Sequence, residues 1–94
     1  MFLTTRGADP IQSLIAYDKL NVKLCGTYCG LSDSYDGASH QAITDLAFVR
    51  AIPNMTVITV ADAVETKKGG ICHCRTSGPC LFEAQPRGSS CVLS

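Results

Sequence analysis

The chain has no excess charge, no basic cluster and no long apolar run, and each absence removes a class of function. Eight Lys and Arg side chains are balanced by eight Asp and Glu, for a formal net charge of zero. Nucleic-acid binding rests on clustered Lys and Arg that neutralise phosphates, so nucleic acid is not expected as a partner. A bilayer crossing takes about 20 consecutive apolar residues, and no stretch approaches that length, so no membrane is expected either. The N-terminus has no apolar core followed by a small-residue cleavage site, which makes the cytoplasm the expected compartment. No internal repeat or low-complexity segment is visible.

What is present is a short chain with enough apolar content to fold. It has 94 residues, 46% of them hydrophobic, which suits one domain or part of one. The six cysteines are unevenly spread, with Cys25 and Cys29 in the middle and Cys72, Cys74, Cys80 and Cys91 crowded into the last quarter. Without a secretion signal, a disulfide framework is not the expected reading. The Cys72-His73-Cys74 run, followed by Cys80 and Cys91, invites a zinc reading. It lacks the paired C-x₂₋₄-C spacing of such sites, so no metal is expected.

The local pattern alternates between helix and strand. Asp9-Pro10-Ile11-Gln12 predicts a helix start, and Ile11, Leu14 and Ile15 give its apolar stripe. Residues 21–28 alternate Val22, Leu24 and Gly26 with Lys23, Cys25 and Thr27, which predicts a strand. A Gly-, Ser- and Asp-rich loop follows over 30–37. A second helix is predicted over 39–50 with Ile43, Leu46 and Ala47 inward. Residues 55–60, MTVITV, predict a short strand buried on both faces. Asp62 and Glu65 then have the spacing of a capping box and open a third helix. This order predicts an α/β fold with a parallel sheet, in which ligands sit beyond the carboxyl ends of the strands. The 30–40 loop falls there. Two strands are too few for such a sheet.

One stretch carries more than periodicity. Asp36-Gly-Ala-Ser-His40-Gln is followed by Asp45-Leu-Ala, Arg50-Ala-Ile-Pro-Asn-Met55-Thr-Val and Ala61-Asp-Ala-Val-Glu65-Thr. These motifs, in this order and spacing, closely resemble the pyrimidine domain of transketolases, most of all their stand-alone C-terminal subunits. The resemblance covers residues 2–68 and implies a fragment of a thiamine-diphosphate-binding, pyrimidine-type domain. By this resemblance His40 aligns with a catalytic histidine in the substrate channel, and Asp36 and His40 with the groups that bind the sugar. The chemistry suits them, since an imidazole exchanges protons near neutral pH and a carboxylate accepts from sugar hydroxyls. From the bare residues, His40 is an ordinary helix-start contact and Asp36 an ordinary turn aspartate. The loop bearing Asp33 and Tyr35 lacks the family's second upstream histidine, which leaves sugar specificity open.

The resemblance also implies what has to come from elsewhere. The family's catalytic glutamate is expected upstream of residue 1, and the motif that holds Mg²⁺ and the diphosphate is expected on another domain. No cofactor-binding residue can therefore be named here. Thiamine diphosphate with Mg²⁺ is implied for the intact enzyme, together with sugar phosphates as substrates. A diphosphate-binding subunit or a homodimer partner is implied as well. The chain alone is expected to be inactive.

After Lys68 the family likeness is lost to the eye. Read one nucleotide later, the codons of the tail permit AVFAIAEHPGPVYLRLSRAEVPV, which is what the family expects at this point: helix, strand and a Ser-Arg pair. Residues 1–68 are therefore read as a partial pyrimidine-binding domain, and 69–94 as an irregular, weakly held, out-of-frame tail. Two other readings stand beside this one. The chain is either a non-catalytic interaction or metal-binding protein built on its Cys-rich tail, or a fragment similar to 1-deoxyxylulose-5-phosphate synthase.

Overall fold

The computed structural model describes residues 1–32 and 35–84. The expectations placed on Asp33 and on the last ten residues, Cys91 among them, lie outside the described residues. Three parallel strands form one sheet in the order β1 (Lys23–Thr27), β3 (Cys80–Ala84), β2 (Thr56–Val60). The α/β fold with a parallel sheet is thus present. Its missing strand comes from a segment in which no regular structure was expected.

The N-terminal run is helical from Phe2 to Ala16. A short α1 (Ala8–Pro10) joins two wider helical segments, Phe2–Arg6 and Ile11–Ala16. In the second, the Tyr17 N–H bonds Gln12 O five residues back at 3.0 Å. Asp9 is not the cap that the sequence suggests. It lies inside the run, and its backbone oxygen accepts from Ser13 Oγ at 2.7 Å. The wide turns also break the predicted stripe. Ile11 and Ile15 reach the core while Leu14 is exposed, because an i→i+5 turn rotates the residue three positions on away from the buried face.

α2 (Asp45–Ala51) is shorter than the sequence suggests and begins at Asp45. Residues 39–43 are held otherwise: His40 N–H bonds Gly37 O at 3.1 Å, and Ala42 exchanges backbone bonds with Gly30. The late start turns the helix so that Asp45, Val49 and then Ile52 face inward, and Ile43 and Leu46 are exposed. Gly37 has a φ of 77°, the left-handed conformation that the tight turn before His40 requires and glycine adopts without strain.

α3 (Ala63–Arg75) continues well past Lys68. Asp62 Oδ1 accepts from Glu65 N–H at 2.7 Å. Glu65 Oε2 accepts from Ala61 N–H at 3.0 Å, so the predicted capping box closes one residue earlier than its usual form. β3 then runs between β1 and β2, with Cys80, Leu81, Phe82 and Glu83 all buried. The irregular tail expected after Lys68 is therefore not what residues 69–84 form: they finish a helix and supply the central strand. Residues 55–60 were expected to be the strand buried on both faces, but that strand is β3. β2 lies at the sheet's edge with Thr56 and Thr59 exposed.

Side chains alternate across the strands and so divide the core. Ile11, Ala16 and Ile52 pack with Ile15, Leu24, Phe48 and Met55 on the face that carries Leu24. α3 covers the other face, and it can come close because Gly69 has no side chain. A Cβ there would stand 2.9 Å from both Phe82 Cε2 and Val60 Cγ1.

Candidate active site cleft and a thiol–imidazole cluster

The carboxyl end of the sheet opens into a cleft of about 260 Å³. β1 contributes Gly26 and Thr27, β3 contributes Glu83, and α2 contributes Asp45 from its first turn. The N-terminal run closes one side with Phe2 and Thr4, and His40 enters from the loop. This is the position that a doubly wound parallel sheet reserves for ligands.

His40 is held by two contacts. Its Nδ1 lies 3.0 Å from Ser39 Oγ, and its ring meets the Phe2 ring edge-to-face at 4.6 Å between centroids. The Arg6 guanidinium stacks on Phe2 at 4.2 Å. Among the described residues Nε2 has no hydrogen-bond partner, which leaves one ring nitrogen available to a ligand. Asp36 is not brought to the same place: it is exposed on the loop and does not line the cleft.

The floor of the cleft carries two carboxyls that the sequence did not single out as site residues. Asp45 and Glu83 are only 2% and 3% exposed, and Asp45 Oδ2 and Glu83 Oε2 have no hydrogen-bond partner among the described residues. Burial, then the facing Asp45 carboxyl, pushes Glu83 up to about 7, against a small opposing pull from the N-terminal amine. The pair therefore holds a proton near neutral pH. An acidic residue inside the otherwise apolar segment Cys80-Leu-Phe-Glu-Ala was the available signal, obscured by reading that segment as out of frame.

A second group of side chains lies on the opposite face of the sheet, where α3 packs. His73, buried in the last turn of α3, has Nδ1 3.0 Å from Cys80 Sγ and Nε2 3.7 Å from Cys25 Sγ. Its ring packs against Phe82 at 5.4 Å. Burial, then the Lys23 ammonium, lowers the titration of His73 and keeps the imidazole neutral. The Cys25 thiol is raised by burial and then by the neighbouring Cys74 thiol. The Cys72-His73-Cys74 run is thus not a local ligand cluster, because α3 turns His73 inward and leaves both flanking thiols exposed.

The sequence model for the transketolase pyrimidine-binding domain matches residues 1–85. The chain belongs to this family. The family likeness does not end at Lys68, as the eye suggested, but runs through β3. A transketolase C-terminal section from Methanocaldococcus jannaschii is 49% identical over 67 residues, covering 71% of this chain and 21% of that protein. Human transketolase is 41% identical over 83 residues, covering 80% of this chain and 13% of that protein. A solved split-gene transketolase, described as an inactive β4 tetramer, superposes with a TM-score of 0.79 at 39% identity. That likeness covers 99% of this chain and 29% of the solved one. The chain thus spans between 13% and 21% of the length of these two curated relatives.

The family implies thiamine diphosphate, and the residues here can be tested against it. A diphosphate needs Mg²⁺ or clustered cations. Among the described residues no three His, Cys, Asp or Glu side chains are grouped to hold a metal ion. The buried groups of the cleft are carboxyls, which repel a diphosphate. The diphosphate end of the cofactor therefore does not fit this cleft.

Proposed function

We propose that this transketolase-family chain is the sugar-facing part of a ketol-transfer site. It presents His40 at the carboxyl edge of the sheet to a sugar phosphate, and a partner holds thiamine diphosphate and Mg²⁺. The partner is a diphosphate-binding transketolase subunit or, in an intact family enzyme, the second copy of a homodimer. In such enzymes the cofactor supplies the carbanion chemistry. The residues of this chain bind and orient the sugar and move protons on its hydroxyls.

The observation that carries this reading is the cleft itself. It joins a histidine with a free ring nitrogen to a buried, proton-holding carboxyl pair, and among the described residues it groups no side chains able to hold the metal a diphosphate needs. His40 acts as donor or acceptor to the hydroxyl nearest the reacting carbon. Asp36, exposed four residues before His40, is the second sugar-contacting group in this reading. By itself the chain transfers no ketol unit.

Titration calorimetry of the isolated chain with thiamine diphosphate and Mg²⁺ tests the division of labour. No saturable binding is expected at cofactor concentrations that fill a diphosphate-binding subunit. Stoichiometric binding to the isolated chain contradicts the proposal.

A further inference from the structure

The floor of the cleft holds polar groups that the fold leaves without partners. Asp45 and Glu83 come from different elements, the first turn of α2 and the central strand, and both are buried. Asp45 Oδ2 and Glu83 Oε2 have no hydrogen-bond partner among the described residues. A buried carboxyl without partners costs free energy, and apolar side chains of similar volume would serve packing better. The titratable groups around the pair do not offset that cost. The Met1 amine exerts only a small pull on Glu83, and the Cys25 and Cys29 thiols are raised by burial and stay uncharged. His40 is engaged by Ser39 and Phe2.

Two features open the pair to a ligand. Both side chains line the cavity of about 260 Å³. Gly26 is the register partner of Glu83 across β1 and β3 and has no side chain to cover it. A Cβ at Gly26 would stand 3.5 Å from Glu83 Cγ and 3.7 Å from Glu83 Oε1, which is ordinary contact distance. A side chain would therefore fit there and screen that oxygen. The charge of the pair then sets what can enter. With one proton between them, two carboxyls carry a single negative charge and still present oxygens that accept hydrogen bonds. A hydroxyl satisfies those oxygens without adding charge. A phosphate or carboxylate brings a second negative charge into a buried place and is repelled.

We propose that Asp45 and Glu83 form a hydroxyl-recognition subsite at the floor of the cleft, which admits the uncharged polyhydroxyl end of a ligand and excludes an anionic one. Gly26 keeps the subsite open by leaving Glu83 uncovered. The inference rests on the sugar-facing reading of the cleft and adds to it the residues that set its selectivity. A sugar phosphate enters with its hydroxyls on the carboxyl pair and its phosphate away from the floor.

The test is a chemical-shift titration of the full, ¹⁵N-labelled chain at pH 6, below the value of about 7 at which Glu83 titrates. The probes are ribose, ribose 5-phosphate and inorganic phosphate. Both sugars should shift the Gly26, Thr27 and Asp45 amide signals with similar midpoints, and phosphate should leave those signals in place. Glu83→Leu removes both oxygens of one carboxyl and should weaken sugar binding about tenfold. Glu83→Gln keeps an acceptor and a donor at the same place and should bind within about threefold of the unmodified chain. Gly26→Ala screens Glu83 Oε1 without touching the pair's chemistry and should weaken both sugars about fivefold. Circular dichroism of each variant verifies the fold. Undiminished binding in Glu83→Leu and Gly26→Ala overturns the inference, and if His40→Ala then loses binding, the sugar-facing reading stands without it. Phosphate that shifts the same three amides also overturns the inference. No shift with either sugar overturns it together with the sugar-facing reading.

Discussion

A carboxyl in the middle strand of a parallel sheet must keep its proton or find a cation, and Glu83 has the Asp45 carboxyl for a neighbour instead. On folding its titration moves from the ordinary glutamate value of 4.5 to about 7. The folded chain therefore binds a proton that the unfolded chain releases. The Glu83 contribution to stability is fully present below about pH 4.5, falls as pH rises through the window, and levels off above about 7. Glu83→Gln should flatten that window and raise stability at pH 8 by on the order of 1–3 kcal/mol. Urea unfolding at pH 5 and pH 8 measures both effects, and an unchanged pH slope in the variant would refute the assignment. Gly69 is the other residue where one atom decides. A methyl group there meets Phe82 and Val60 at 2.9 Å, so Gly69→Ala should lose about 1–3 kcal/mol by overpacking. A thermal melt that shows no loss would mean that α3 sits farther from the sheet than described.

Among the elements, β3 has the greatest consequence for the fold. It pairs with both other strands, and Leu81, its second residue, has no exposed surface. Leu81→Ala should destabilise the chain by about 2–5 kcal/mol. Chemical denaturation gives the value, and a loss under 1 kcal/mol would be incompatible with a central strand. This element was also the hardest to read. β1 and β2 were legible because Val22, Leu24 and Gly26 alternate with polar neighbours and residues 56–60 are β-branched. The α3 start was legible because Asp62 and Glu65 carry the capping pattern. The end of α3 was not, since Gly69 and Gly70 look like a stop. Gly69 is there to let the helix approach Phe82 closely, a requirement set by tertiary packing that no local pattern records. Once the helix was read as ending at Lys68, Cys80–Ala84 had no sheet to join, and the shifted-frame reading filled the gap. The carboxyl pair was lost with it: Asp45 was seen as part of a motif, but its partner lies 38 residues away on β3. His40 and Asp36 were legible only through the motif order, and the fold brings His40 alone into the cleft.

The molecule as a whole is a small, open sheet. Among the described residues no strand pairs with the outer edges of β1 and β2, and such edges invite pairing with another chain. Sedimentation velocity should therefore show the average mass rising with concentration, and a constant monomer mass across a hundredfold range would contradict this. The same openness fits a chain that spans 13% of human transketolase and the proposed pairing of its cleft with a partner. Ketol transfer between sugar phosphates, with thiamine diphosphate and Mg²⁺ present, tests the central claim most directly. It should be assayed for the purified chain alone and for the chain mixed with a diphosphate-binding transketolase subunit. The account predicts no product from the chain alone at any concentration. Turnover by the chain alone would contradict it, and would mean that the cleft holds and activates the cofactor without a partner.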